Sequence, residues 1–216
     1  MSMLGYRDPG GIKTGMQITA SPEHVVRDIG TKKMTALRKI VDGGREDYRE
    51  YRSAHPVWAS QDCGRTTHSL IHERMWQRAM LLADDFEDVS YVESLPTREL
   101  YLGTQYRVRF KKHTPAGAVR SYPTATALDF FDEPPATLPS LQLVNLTVGY
   151  EWDEELRQMG RPVMSLHSAM DKALWMIELP DDGAAGNLGL LHAPLDGPTL
   201  PTIFVPGVAA EESEQG

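Results

Sequence analysis

The sequence predicts an α+β protein: N-terminal helices come first, an antiparallel β-sheet follows, and both belong to a single domain. Apolar residues recur at spacings of three and four up to about residue 85, and from there they alternate with period two. A length of 216 residues with 41% apolar residues fits one globular domain. We therefore expect one domain at 21–206, with its helical part at 21–85 and a mainly antiparallel sheet at 86–206.

The two ends of the chain are expected to lie outside this domain. Residues 1–20 are rich in Gly and polar residues without periodicity, which is typical of a flexible arm. Residues 207–216 are acidic and contain no large apolar side chain after Val208, so we expect a disordered tail. No run resembles a signal peptide or a membrane span, and the single cysteine, Cys63, excludes an intrachain disulfide. These features predict a cytoplasmic protein that does not bind a membrane.

The helical part should begin at Ser21-Pro22, with Ser as the N-cap and Pro at the first helical position. Gly30 and Thr31 are expected to divide the stretch into two helices. The glycine pair at 43–44 is expected to end the second helix, because glycine favours helix ends.

Two more helices are predicted before the sheet. Residues 45–54 indicate a short helix that ends before Pro56, and a loop should follow to about residue 64. The most regular helical spacing lies at 67–83, and Thr67 is its expected N-cap.

Residues 105–112 alternate strictly and predict a strand with Tyr106, Val108 and Phe110 on one face. The turn signal at 103–104 predicts a hairpin with the preceding strand. A short helix should follow, stopped by the proline pair at 134–135. Further strands are predicted at 141–150, 162–166, 173–179 and 203–205, with an acidic connection at 151–161 and a long loop at 180–201.

The second face of the strand at 105–112 is basic. Arg107, Arg109 and Lys111 alternate with the apolar residues, so they share one face. The surrounding segment, 98–120, carries six basic residues against one acid, whereas the whole chain has a net charge of -8. The six are Arg98, Arg107, Arg109, Lys111, Lys112 and Arg120.

This basic face has two interpretations. It is either the solvated outer face of an antiparallel sheet, where cations also discourage aggregation, or a patch that binds phosphate or an acidic protein. Arginine favours binding, since its guanidinium matches carboxylate and phosphate geometry. The overall negative charge argues against tight binding of nucleic acid by the protein as a whole. The candidate binding residues are Arg107, Arg109, Lys111, Lys112 and Arg120.

A metal site is the second candidate for chemistry. His68 and His72 lie four residues apart on the predicted helix, so both imidazoles project from one face. The order H-x-x-x-H-E is not a metalloprotease motif, and a third ligand would have to come from a residue such as His55 or His113. The alternative is a pair of partly exposed helix histidines without a metal.

No sequence motif indicates a cofactor. The glycines near residue 11 lack the lysine adjacency of a P-loop, and those at 183–189 lack dinucleotide-binding spacing. No nucleophile-elbow motif is present either. We therefore expect no cofactor.

Several blocks resemble an uncharacterised bacterial family. They read RVRFKK at 107–112, RSYPTATALDFF at 120–131, LTVGY at 146–150 and LWMIEL at 174–179, within a resemblance that spans about 65–180. Members of that family are encoded beside a helix-turn-helix regulator with an ImmA/IrrE-type metallopeptidase domain, in pairs similar to toxin–antitoxin or mobile-element modules. The resemblance implies that regulator as a partner, and it implies no catalytic residue.

Three functions remain open from the sequence. The first is an interaction or regulatory component of a two-gene module, binding an acidic partner or nucleic acid through the basic strand. The alternative is an enzymatic toxin acting on nucleic acid or nucleotide, with His68, His72 and His113 as acid–base or metal groups. The third is an accessory protein of a mobile element without catalysis.

Overall fold

A single seven-stranded sheet organises the molecule, and its strands lie side by side in the order of the chain. The computed structural model describes residues 20–95, 97–119, 124–132, 143–181 and 189–192. The helices are α1 (Pro22–Ile29), α2 (Thr31–Ala54), α3 (Pro56–Gln61), α4 (Gly64–Asp85) and α5 (Ala125–Asp132). The strands are β1 (Val89–Ser94), β2 (Thr97–Leu102), β3 (Tyr106–His113), β4 (Val144–Asp153), β5 (Gln158–Ala169), β6 (Lys172–Glu178) and β7 (Leu190–His192). The predicted α+β class is confirmed.

Most neighbouring strands are antiparallel, as the sequence predicts, but β3 and β4 are parallel. A parallel pair needs a crossover connection, and α5 lies within the segment that joins these two strands. Since successive residues of a strand point to opposite faces, β3 presents Val108 and Phe110 to the N-terminal helices and Arg107 and Arg109 to α5.

The main hydrophobic core lies between the sheet and the helices α1, α2 and α4. Burying each large apolar side chain contributes about 1.5–3 kcal/mol, so this layer provides most of the stability. A separate small cluster of Val119, Phe130 and Phe131 lies under α5, on the other face of the sheet. The buried side chains of the main core include Ile71, Met75, Trp76, Val108, Phe110, Leu146, Val148, Met164 and Ile177.

The N-terminal helix boundary follows the sequence prediction. The Ser21 hydroxyl accepts a hydrogen bond from the backbone N–H of His24, and Pro22 occupies the first turn of α1. Gly30 separates α1 from α2 with φ 81°, a left-handed conformation that glycine adopts without strain.

The prediction that the glycine pair at 43–44 ends a helix is wrong. Helix α2 continues through both glycines to Ala54. A Cβ atom at Gly44 would lie 2.8 Å from Cγ of Met75, and one at Gly43 would lie 2.2 Å from Nε of Arg78. The glycines therefore serve the close approach of α2 to α4, a tertiary requirement that outweighs their low helix propensity.

Three further local predictions are wrong. The segment expected as a loop up to residue 64 contains the helix α3, with Pro56 in its first turn. Helix α4 begins at Gly64, so Thr67 lies inside it and is buried instead of capping it. The predicted connection at 151–161 is also shorter, because β4 extends to Asp153 and β5 starts at Gln158.

Other predictions fall outside the described residues. They are the flexible arm (apart from Ala20), the edge strand at 203–205 and the acidic tail at 207–216. No helix among the described residues is both long and apolar enough to cross a bilayer.

Candidate interaction surface around α3

The predicted basic face of β3 is covered and paired with acid. Arg109 is buried, and its Nε donates to Oε1 of Glu99 at 2.9 Å. Its guanidinium also donates to the carbonyl of Thr126 and lies over the ring of Phe130 at 4.3 Å, so α5 seals it from solvent. The Arg109–Glu99 pair ties β2, β3 and α5 together. The expectation of a solvated or open basic face is therefore wrong at Arg109.

Two neighbouring cations of β3 are also paired, Arg107 on this face and Lys112 on the opposite face of the strand. Arg107 donates to Oδ1 of Asn145 at 2.8 Å, lies 3.9 Å from Glu99 and packs against the same Phe130 ring. Lys112 donates to Glu154 at 3.2 Å. Arg120, the remaining candidate, lies outside the described residues.

Burial and neighbouring charges shift two pKa values on this face. Burial disfavours ionisation of Glu99, but the Tyr101 hydroxyl and the Arg109 guanidinium outweigh it and hold the pKa of Glu99 below its ordinary value. Burial, together with the nearby Arg109 charge, lowers the pKa of Lys111 to about 8. The face therefore works as an internal ion-pair layer in the folded protein.

The histidine pair of α4 packs on the opposite face of the sheet. Nδ1 of His68 lies 3.2 Å from the Tyr150 hydroxyl, and its ring meets Trp152 edge-on at 4.6 Å. Burial and the Lys112 charge lower the pKa of His68 to about 4, and burial with Lys111 lowers that of His72 to about 4. Both imidazoles are therefore neutral at pH 7.

No third metal ligand joins the pair. Among the described residues, no group of three His, Cys, Asp or Glu is close enough to hold an ion. His55 stacks on Trp58, and His113 lies across the sheet from His68 and His72. Lys112 lies near His68 on this face, but the structure does not assemble the three histidines.

His113 belongs to a buried polar cluster under α5. Its Nε2 lies 2.8 Å from Oγ of Ser165 and 3.1 Å from Oγ1 of Thr147, and Ser165 also meets Nε2 of His167 at 2.8 Å. Burial and the neighbouring His167 lower the pKa of His113 to about 3. His113, Thr147 and Ser165 have no exposed surface, and Phe131 packs on His167. The cluster is accordingly a part of the core that no substrate reaches in this fold.

The most exposed aromatic surface lies on α3, where the sequence analysis expected a loop. Trp58 is 61% exposed and Val57 is 63% exposed, whereas Ala59 of the same helix is buried. The Trp58 ring stacks on His55, with centroids 4.6 Å apart and planes 11° from parallel. A large aromatic side chain held rigidly in water is typical of a binding surface.

The β4–β5 turn is fixed against this helix. Oδ1 of Asp153 accepts the backbone N–H groups of residues 155 and 156, which shapes the turn, and Arg157 adopts φ 48°. The guanidinium of Arg157 then donates to the carbonyls of Ser60 and Asp62. This turn also places Leu156, which is 60% exposed, at the α3 end of the molecule.

The arginines around α3 differ from all other described arginines, because no carboxylate pairs with them. Arg52 and Arg157 bind only backbone carbonyls and lie against aromatic or backbone groups. The guanidinium groups of Arg65 and Arg74 are exposed and bond to no other described residue. Arg52, Arg65, Arg74 and Arg157 thus lie on segments that adjoin α3, and none of them forms an ion pair with a described carboxylate.

Two grooves lie near α3. One, of about 340 Å³, lies between α2 and α4 and is bordered by Asp47, Glu50, Tyr51, His55, Leu70 and Arg74. The other, of about 230 Å³, lies between α3 and the β4–β5 turn. We name this region, comprising α3, its two grooves and the four arginines, the α3 surface.

Sequence reasoning missed the α3 surface because its members are scattered. The arginines at 52, 65, 74 and 157 form no charge run, unlike the segment at 98–120. Pro56 indicates a helix stop, but proline is equally suited to the first turn of the next helix. The available signal was an apolar pair, Val57-Trp58, directly after that proline.

Comparison with known proteins identifies no relative. No protein-family model matches the chain, and no curated protein or solved structure is significantly similar to it.

Proposed function

We propose that this protein is an interaction component that binds an acidic, partly apolar segment of a partner protein at the α3 surface. The observation that carries the proposal is the exposed Trp58 on α3, together with four arginines on adjoining segments that form no ion pair with a described carboxylate. Trp, Tyr and Arg are the residues that dominate binding energy in protein interfaces.

The electrostatics support an acidic partner. An arginine without an internal acid retains its full attraction for an external carboxylate, and its planar fork can bind that group with two hydrogen bonds. The cations of β3 lack this capacity because Glu99 and Glu154 already occupy them. We therefore propose that the acidic partner binds at α3 and not at β3.

The partner we propose is the helix-turn-helix regulator implied by the family resemblance, with both proteins acting in the cytoplasm. The exposed thiol of Cys63 beside α3 fits a reducing compartment. Nucleic acid is the competing ligand, because arginines next to a stacked aromatic ring also suit single strands. The test below distinguishes the two.

The test reverses charge at Arg65 and Arg74, whose guanidinium groups bond to no other described residue. Arg65→Glu with Arg74→Glu should weaken binding of the purified regulator by at least about tenfold, measured by isothermal titration calorimetry. The double variant should unfold at the same urea concentration as the wild type, since neither guanidinium supports the fold.

The matched control is Lys32→Glu with Lys172→Glu, two exposed lysines away from α3 whose side chains bond to no other described residue. It carries the same change in net charge and should retain affinity within about twofold. An equal loss of affinity in both double variants would show that net charge causes the loss, and it would contradict the α3 site. Binding of a 20-nucleotide RNA, and not of the regulator, would favour the nucleic-acid alternative.

A further inference from the structure

The first strand, β1, forms a regular open edge of the sheet. Its pairing with β2 runs without a break from Val89↔Leu102 to Ser94↔Thr97, so the strand contains no bulge. It also contains no Lys and no Pro, the residues by which edge strands commonly avoid pairing with another strand. Within the described parts of the chain, nothing pairs with the outer side of β1.

Apolar side chains are exposed on both faces of this edge. Tyr91, on the face of the N-terminal helices, is 45% exposed, and Val92, on the opposite face, is 47% exposed. Leu95, directly after the strand, is 76% exposed. The Trp76 ring meets Tyr91 edge-on at 5.9 Å and fixes it at the sheet edge. Exposed apolar residues along an open strand mark a pairing surface.

The backbone groups that face outward can be assigned from the ladder. The N–H of Gly103 donates to the carbonyl of Asp88, and hydrogen-bonded pairs alternate along an antiparallel ladder. The even-numbered residues of β1 therefore bond to β2, and Tyr91 and Glu93 direct their N–H and C=O groups away from the sheet. A new strand would bond at those two residues.

If β1 pairs antiparallel with β1 of a second copy, side chains of similar polarity face each other. With the two-fold axis at Val92, that residue faces its own equivalent. Ser90 then faces Ser94, and Val89 faces Leu95, so polar meets polar and apolar meets apolar. An isologous interface requires this self-complementarity.

The charges also permit this register. Glu93 lies opposite Tyr91 of the second copy and not opposite its own equivalent, so the two carboxylates are not juxtaposed. Each Glu93 is already neutralised within its own chain by Arg98, at 2.8 Å. Like-charge repulsion, which destabilises directly opposed pairs, is thereby avoided.

We propose that β1 pairs with β1 of a second copy of this chain, antiparallel and centred on Val92, and so joins two sheets into one. The α3 surface takes no part in this pairing. A strand of another protein is the alternative occupant, and the experiments below separate it from a second copy.

The first experiment reads the register with disulfides in a Cys63→Ser background. Val92→Cys should crosslink to itself under mild oxidation, because Cα atoms of a non-hydrogen-bonded antiparallel pair lie about 4.5 Å apart, within disulfide range. Ser90→Cys alone should not crosslink, but it should do so when mixed with Ser94→Cys. Equal crosslinking of Val92→Cys and Ser90→Cys would indicate random collision and overturn the register.

The second experiment measures association directly. The wild type should show concentration-dependent dimers in sedimentation velocity, and Val92→Lys should weaken dimerisation by at least about tenfold because it places two lysines at the axis. Circular dichroism should show both proteins folded, since Val92 is half exposed. A wild type that stays monomeric at high micromolar concentration, or a dimer unaffected by Val92→Lys, would overturn the proposal.

Discussion

Two basic regions of this protein differ in burial and in charge pairing. On β3, Arg109 is buried against Glu99 and sealed by Phe130. Next to α3, Arg65 and Arg74 are exposed and form no ion pair with a described carboxylate. The comparison teaches that cation density along the sequence does not identify a binding surface. What matters is whether the fold supplies an internal carboxylate.

The difference has a direct energetic meaning. A buried cation has lost its water, so it must keep its carboxylate and cannot be offered to a ligand without a large cost. An exposed arginine keeps its hydration, contributes little to stability and remains free to exchange water for a partner's carboxylate. The β3 cations therefore act in folding, and the α3 arginines are suited to recognition.

The largest expected effect is on stability and concerns the buried cations of β3. Arg109→Ala should lower the free energy of unfolding by about 3–5 kcal/mol, because it leaves Glu99 buried and unpaired and removes a contact to α5. Urea denaturation measures this change. Arg65→Ala is the matched surface control and should change stability by less than about 0.5 kcal/mol. Similar losses in both variants would erase the distinction between the two regions.

The second largest expected effect concerns partner binding at the exposed α3 surface. Trp58→Ala should weaken partner binding by about 2 kcal/mol, roughly thirtyfold, while the urea midpoint stays unchanged, because the ring is 61% exposed. Leu81→Ala, at a residue 65% exposed elsewhere on the surface, serves as the control and should bind normally. Normal binding by the Trp58 variant would rule out the ring as an anchor.

A pH dependence sharpens the comparison further. His72 and His113 have folded-state pKa values of about 4 and about 3, below the ordinary value of 6.5. The unfolded chain therefore takes up protons first, and stability is lost as pH falls from about 6.5 toward 4. The slope should reach about 1.4 kcal/mol per pH unit for each buried histidine.

Urea midpoints between pH 7 and 4 check this slope. His72→Gln should lower the slope by about 1.4 kcal/mol per pH unit, the contribution of one histidine, because the other buried imidazoles remain. A flat profile above pH 5 would show that these histidines are hydrated in the folded state, contrary to their burial.

Agreement between sequence and structure depends on whether a signal is local. The cap at Ser21, the stop before Pro56 and the alternation of β3 involve neighbours in sequence, and the structure confirms all three. Glycine at 43–44 and proline at 56 are ambiguous signals, because each residue type has two structural uses. Gly44 packs against α4, and Pro56 begins α3.

The sequence by itself determined the fold class, the place where helices give way to strands and the shared face of Arg107, Arg109 and Lys111, because backbone periodicity is a local property. Only the tertiary structure decided that Glu99 and α5 would cover that face, that β3 and β4 would be parallel, and that Arg52 and Arg157, 105 positions apart, would meet beside α3. Those outcomes depend on which distant residues meet. Contact between distant residues is set by packing of the whole chain, and no short pattern encodes it.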